Sequence, residues 1–66
     1  SYCVGQMISE ARKQEKMTQS ELAEKVGTNK TYISRIEKGV IEPGVGLFFR
    51  IIDALGLKIE IVKPIM

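Results

Sequence analysis

The stretch Thr18–Gly39, TQSELAEKVGTNKTYISRIEKG, decides the fold that we predict for this chain of 66 residues. It contains two short apolar patterns separated by a glycine. Thr18 and Glu21 have the spacing of a capping box, in which each side chain bonds the backbone N–H group of the other residue. Gly27 is expected to end this first helix, because glycine adopts the positive φ of a helix C-terminus at little cost.

A second helix is predicted at about residues 28–38, immediately after that glycine, with Thr28 as its cap. Only Ile33 and Ile36 have the spacing of inward-facing positions, and Gly39 stops the helix. Two short helices joined by a tight glycine turn form the helix-turn-helix motif.

The outer face of this second helix has the composition of a surface that meets nucleic acid. Its projecting residues are Asn29, Lys30, Thr31, Ser34 and Arg35. These side chains offer donors to phosphates and base edges, and no acidic residue that phosphate would repel occurs among them.

Two more helices are predicted on either side of the motif. The first runs from about Val4 to Lys16 with one apolar stripe. The last runs from about Val45 to Leu55, and its apolar residues cover an arc of roughly 220° when residues are placed at helical steps. A surface helix needs a stripe of only about 100°. This helix is therefore expected to pack on its own core and on something else.

The final residues, GLKIEIVKPIM from Gly56 to Met66, alternate apolar and polar side chains as a half-buried strand does. A single strand cannot satisfy its own backbone N–H and C=O groups. The predicted fold is therefore all-α, with four short helices and one C-terminal β-strand that pairs across a dimer. Residues 4–56 form the helical domain and residues 57–66 the dimerisation tail. The alternative is a frayed tail that packs loosely on the last helix.

Composition limits the chemistry of the chain. The net charge of +2 permits a polyanionic partner without requiring one. One cysteine and no histidine leave no internal disulfide and no plausible metal site, so no cofactor is predicted. The commonest general base is absent, which argues against an enzyme. No apolar run of about 18 residues is present, so no membrane span is predicted, and neither is a signal peptide.

The chain resembles the Cro/C1-type (XRE-family) helix-turn-helix regulators of phages and bacteria over roughly residues 4–57. The combination that carries this resemblance is Gln19, Ala23, Gly27, Ile33, Glu37 and Gly39. The resemblance implies a lambda-repressor-like domain of five helices that binds double-stranded DNA as a homodimer in a bacterial or phage setting. A lone free thiol fits residence in the cytoplasm, where such a regulator is expected to be nucleoid-associated.

The resemblance also implies the roles of individual residues. Base contacts are expected from Lys30, Thr31, Ser34 and Arg35. Phosphate contacts are expected from Gln19, Thr28, Asn29, Tyr32 and Lys38. Three of these residues have simpler alternatives: Thr28 as a helix cap, Tyr32 as a cover for the preceding helix, and Lys38 as a solvated charge at a helix C-terminus.

Arg12 and Glu37 match positions at which the family carries a structural ion pair, so we expect them to hold the second motif helix at its angle. The tail departs from the family pattern, since many relatives have a fifth helix there. It is similar to the tail of a subset, the HipB-like antitoxins, in which the strand pairs with its twin. The dimer contact is accordingly expected from Phe49, Leu57, Ile59 and Ile61, and antiparallel strands would let Lys58 and Glu60 pair between chains.

Three functions therefore compete. The first is a sequence-specific DNA-binding regulator, interpreted as a repressor, that binds a near-palindromic operator. An antitoxin version would add a toxin protein as a partner. The second is a protein-interaction module with the same fold, which would favour exposed apolar or aromatic residues on the second motif helix. The third is an enzyme, which the composition disfavours.

Overall fold

The computed structural model describes residues 3–64, and these fold into four helices. The helices are α1 (Val4–Gln14), α2 (Gln19–Val26), α3 (Lys30–Glu37) and α4 (Val45–Ala54). The predicted all-α class and the predicted number of helices are confirmed. Among the described residues, no helix is long and apolar enough to cross a membrane.

The start of α2 is fixed by the predicted capping box. The Thr18 hydroxyl accepts the Glu21 N–H at 3.0 Å, and the Glu21 carboxylate accepts the Thr18 N–H at 2.8 Å. These two bonds satisfy donors that the first turn of a helix leaves without partners. They also hold the pKa of Glu21 below its ordinary value, chiefly through the bond to the Thr18 backbone.

The turn between α2 and α3 is a Schellman motif centred on Gly27, whose φ is 80°. The N–H of Gly27 donates to the Glu24 carbonyl, and the N–H of Thr28 donates to the Ala23 carbonyl at 2.9 Å. This pairing satisfies carbonyls at the helix end and reverses the chain within two residues.

The predicted cap of α3 is wrong by one residue. Asn29 caps α3, because its side-chain oxygen accepts the Tyr32 N–H at 2.9 Å. Thr28 cannot take this position, since its backbone still completes the end of α2. The helix therefore begins at Lys30 rather than at the predicted residue 28.

The core is a single cluster to which all four helices contribute. Its buried members are Ile8, Leu22, Ala23, Val26, Ile33, Ile36, Ile51 and Leu55. Burying a large aliphatic side chain contributes about 1.5–3 kcal/mol, and this cluster is what holds α3 against the rest of the domain.

α1 crosses the end of α3 at a glycine. Gly5 is buried, and a Cβ atom added to it would overlap the Ile36 carbonyl oxygen and lie 2.9 Å from the Glu37 carbonyl oxygen. Both neighbours are backbone atoms, so they cannot turn away as a side chain could. Glycine is needed here because it lets the two helices approach this closely.

The apolar surplus of α4 is confirmed. Ile51 and Ile52 are buried, whereas Val45 and Phe49 are 73% and 53% exposed. Gly44 caps the helix without a side-chain hydrogen bond, as expected for a residue that has no side chain.

The C-terminal tail does not form a strand within the single described chain. Residues 57–64 are neither helical nor paired, and residues 65 and 66 of the predicted tail lie outside the described residues. Ile61 is 95% exposed in the single chain, and its dimer contact stays a prediction. A strand needs a pairing partner, so pairing with a second chain stays a prediction.

We expect Gly5→Ala to lower the free energy of unfolding by about 1–3 kcal/mol, because the added methyl group overpacks the α1–α3 contact. Urea denaturation followed by circular dichroism measures this. Gly46→Ala is the matched control: Gly46 lies inside α4, and an added Cβ would meet nothing within 4 Å. Alanine there should stabilise the helix by up to about 1 kcal/mol. Equal effects of the two substitutions would contradict the close-approach explanation.

Candidate nucleic-acid interface

α3 presents one buried and one open side. Ile33 and Ile36 are 0% and 1% exposed and anchor the helix in the core. The predicted base-contacting residues lie on the opposite side, within an arc of about 140° at 100° per residue. Lys30, Thr31 and Arg35 are exposed and Ser34 is half-buried. The structure therefore brings together the four residues predicted to contact bases on one face of α3.

The predicted phosphate-contacting residues flank this face at both ends of α3. Asn29 is exposed, and its side-chain oxygen accepts the capping hydrogen bond. Its side-chain NH2 group takes no part in that bond. Lys38 is exposed at the C-terminal end of α3. Tyr32 is half-buried and packs against the core cluster, and its phosphate contact stays a prediction.

The predicted ion pair between Arg12 and Glu37 is present and is bidentate. Arg12 Nε donates to Glu37 Oε2 at 2.7 Å, and Arg12 Nη2 donates to Glu37 Oε1 at 3.0 Å. The Arg12 and Glu37 side chains are only 11% and 7% exposed. Arg12 Nη1 also donates to the Met17 carbonyl at 2.8 Å, so the same guanidinium secures the turn between α1 and α2.

Gln19 joins Arg12 and Glu37 in a polar cluster of three side chains. The sequence did not predict this contact of Gln19. Its side-chain nitrogen donates to Glu37 Oε1 at 3.0 Å. The amide carries a second hydrogen, and α2 begins at Gln19, where a helix offers N–H groups without intrahelical acceptors. Gln19 therefore joins the end of α3 to the start of α2, and its predicted phosphate contact stays a prediction.

Hydrogen bonds within the cluster of Arg12, Gln19 and Glu37 shift the pKa values of its two charged groups. Burial of the Glu37 carboxylate raises its pKa, but hydrogen bonds from Arg12, Gln19 and Ser9 and the charge of Arg12 outweigh burial. The net pKa of Glu37 lies below its ordinary value. The hydrogen bond to Glu37 raises the pKa of Arg12 in turn. Both groups are therefore charged at neutral pH, which is the state in which a buried pair is stable.

A shallow basic pocket of about 670 Å³ lies beside this cluster, where the end of α1, the start of α2 and the start of α3 meet. Among its lining residues are Lys13, Lys16 and Lys30, together with Thr18 and Gln19. Cations beside a helix N-terminus are well suited to a phosphate group.

Lys13 and Lys16 had not been singled out from the sequence. Their spacing of three residues near the end of a helix was the available signal, but the sequence alone does not show that this end meets the start of α2. Lys16 itself adopts a positive φ of 54°, which turns the chain toward α2.

The four predicted dimer residues lie on another part of the surface. Phe49 is exposed on α4, and Leu57 and Ile59 are 40% and 44% exposed in the tail. Ile59 lies at an apolar groove with Phe48 and Phe49, whereas Ile61 does not line it. Within the described residues, no cluster of three or more metal-ligating side chains occurs.

The sequence and the fold are similar to those of known regulators. A family described as "Helix-turn-helix" matches residues 8–62. An uncharacterized HTH-type transcriptional regulator of Sinorhizobium fredii is 39% identical over 56 residues, which are 85% of this chain and 29% of the relative. The immunity repressor protein of Bacillus phage phi105 is 35% identical over 57 residues, which are 86% of this chain and 40% of the repressor. The chain thus spans less than half the length of these two relatives.

The fold also matches a repressor solved on DNA. The P22 c2 repressor, crystallised with a synthetic operator, superposes with a TM-score of 0.84 and 28% sequence identity, and the match covers 88% of each chain. This similarity confirms the lambda-repressor-like fold class predicted from the sequence.

We expect Glu37→Ala to lower the free energy of unfolding by about 3–5 kcal/mol, because Arg12 would remain buried without its partner. Thermal unfolding measures the loss. Glu24→Ala, at an exposed carboxylate on α2, is the control and should change stability by less than about 0.5 kcal/mol. A Glu37→Ala protein that melts like the parent and yet loses DNA binding would show that Glu37 acts in the site rather than in the fold.

The pH dependence of stability should report the same pair. Because the folded-state pKa of Glu37 is lowered, its contribution is fully present above the ordinary titration range of about pH 4–5 and is lost as the pH falls through the folded pKa. We expect Glu37→Gln to be less stable than the parent at pH 7 and the difference to shrink in acid, as measured by urea denaturation from pH 7 to pH 2. A difference that stays constant with pH would exclude this account.

Proposed function

Since the chain belongs to the Cro/C1-type helix-turn-helix family, we propose that it is a sequence-specific DNA-binding transcriptional regulator that acts as a repressor. The observation that carries this proposal is α3. Ile33 and Ile36 anchor it in the core, and its open side is a face of hydrogen-bond donors. No carboxylate occurs from Thr28 to Ile36. In the proposed complex this face enters the major groove.

The residues divide by role in this complex. Arg35 has the geometry to donate two hydrogen bonds to guanine O6 and N7, and Lys30, Thr31 and Ser34 read neighbouring base edges. Phosphates on either side would bind Gln19, Asn29 and Lys38, which set the register of the helix on DNA. The basic pocket at Lys13 and Lys16 extends the proposed phosphate surface along the backbone.

The support from relatives points the same way. The P22 c2 repressor has this fold and was solved with an operator, and the phage phi105 relative is an immunity repressor. A protein-interaction module is less well supported, because the exposed part of α3 is polar. Action on bacterial or phage DNA would place the protein in the cytoplasm.

The proposed active form is a homodimer in which the tails and α4 form the seam. Two recognition helices related by a two-fold axis would contact half-sites about 34 Å apart. An antitoxin would use the same DNA surface and would need a second surface for a toxin. The exposed apolar residues of α4, Val45 and Phe49, could contact a toxin. A second copy of the chain is the simpler partner for this surface.

Selection of bound duplexes from a random pool tests the proposal. The parent chain should enrich a near-palindromic sequence, and Arg35→Ala should lose preference at one base pair in each half-site, at a cost of about 1–3 kcal/mol. Arg50→Ala removes an exposed arginine from α4, away from α3, and should leave the preference unchanged. Failure of the parent chain to enrich any sequence at low salt would refute sequence-specific DNA binding.

A further inference from the structure

The exposed apolar side chains of the described residues lie outside the helix-turn-helix motif. They are Val4, Val40, Val45, Phe49, Leu57, Ile59, Ile61 and Val62. None falls between residues 5 and 39. The chain therefore has a polar side at α3 and an apolar side formed by the start of α1, α4 and the tail. Apolar surface of this extent on a small domain marks an interaction site.

The centre of the apolar side is a groove of about 650 Å³. Val4 of α1, Pro43 of the loop before α4, and Phe48 and Phe49 of α4 line it. Ile59 of the tail also lines the groove, and it remains 44% exposed. The groove is thus only partly covered by its own chain.

The backbone N–H and C=O groups of tail residues 58–64 have no hydrogen-bond partners within residues 3–64. The last backbone hydrogen bond toward the C-terminus among the described residues is from the Leu57 N–H to the Ile52 carbonyl, at 3.0 Å. Residues 58–64 follow it with exposed side chains, including Ile61 at 95% exposure. Unpaired backbone groups with alternating apolar side chains form a template for pairing with another strand.

We propose that the occupant of this surface is a second copy of the chain, and that the two tails pair antiparallel with Ile59 of each copy on the two-fold axis. This inference rests on the proposed homodimer and adds its register. One chain has both a partly empty groove and an uncovered tail. In a two-fold dimer the tail of each copy would cover the groove of the other and pair with its tail, so both grooves and both tails would be covered.

The charges of the tail select this register. Residues directly opposite each other in an antiparallel pair share a face, and like charges at such positions are destabilising. A register centred on Lys58 or on Glu60 would place two identical charges on the axis. A register with the two-fold axis between two residues would set neighbours in sequence opposite each other, although their side chains point to opposite faces. A symmetric antiparallel pair therefore excludes it.

The remaining choices differ in what faces the groove. Centring on Ile61 would set Lys63 opposite the partner's Ile59, so a charged side chain would lie opposite an apolar one within the paired segment. Centring on Ile59 sets Lys58 opposite the partner's Glu60, twice, and Leu57 opposite the partner's Ile61. Among registers centred on residues 58–61, only this one pairs unlike charges and keeps the apolar face unbroken.

The same register explains how the groove is filled. The partner's Ile59 would lie beside Ile59 at the groove edge, next to Phe49. The partner's Ile61 would then reach Leu57 at the end of α4. The side chain that is most exposed in the single chain thereby gains apolar neighbours.

Cysteine cross-linking tests the register directly. Opposite Cα atoms in an antiparallel pair are about 4.5–5.5 Å apart, within the range that a disulfide spans. The background is Cys3→Ser, because Cys3 is an exposed free thiol. Under mild oxidation Ile59→Cys should form a covalent dimer at least about tenfold faster than Ile61→Cys. Leu57→Cys with Ile61→Cys in the same chain should also cross-link. If the single variant Ile61→Cys forms the covalent dimer faster than Ile59→Cys does, the proposed register is wrong.

A charge exchange provides a second measurement that leaves the apolar contacts intact. Lys58→Glu should raise the dimer dissociation constant about tenfold in sedimentation equilibrium, because it replaces two attractive pairs by two repulsive ones. Adding Glu60→Lys in the same chain should restore the parent value. Absence of rescue, or a parent chain that stays monomeric at all concentrations, would overturn the inference. Both measurements are made without DNA, so a failure here is distinct from a failure of DNA selection.

Discussion

The bidentate pair between Arg12 and Glu37 is the interaction on which the rest of the structure depends. It joins the end of α3 to α1, and through Gln19 and the Met17 carbonyl it also reaches the start of α2. Ile33, Ile36 and Tyr32 pack α3 against the core. The bidentate pair adds directional hydrogen bonds at the C-terminal end of the helix, and such bonds give geometric specificity as well as energy.

The second organising feature is the separation of polar and apolar surface. A domain of this size buries only about 60% of the surface that its unfolded chain exposes, so apolar side chains must remain outside. Here none of the exposed large apolar side chains lies within α3 itself. The face of α3 proposed to meet DNA carries donors and cations, and other residues form the apolar groove and the tail. The two proposed interactions, with DNA and with a second copy, would therefore not compete for the same residues.

Much of the fold could be predicted from the sequence, because its signals are local. The capping box, Gly27 and the spacing of Ile33 and Ile36 each act within one or two turns, and all are present in the structure. Thr28 and Asn29 are both good caps, and the choice between them depended on the end of α2, whose backbone bonds occupy Thr28. Local propensity carries no information about that competition.

Contacts between distant segments were harder to predict. The need for glycine at position 5 comes from backbone carbonyls some 30 residues away, and the bond from Gln19 to Glu37 likewise joins separate helices. The ion pair was anticipated only through the family resemblance. The basic pocket shows the same limit, because Lys13 and Lys16 become neighbours of α2 only when the helices pack. The base and phosphate contacts themselves stay predictions.

The bond that holds Gln19 against Glu37 has a consequence for the entropy of binding. A free glutamine side chain loses about 1.5–2 kcal/mol of rotamer entropy when it is immobilised. Gln19 is already held in the unbound domain, so that loss is part of folding rather than of association. In the proposed DNA complex, a phosphate at the start of α2 would meet a preorganised amide, and more of its interaction energy would appear as affinity.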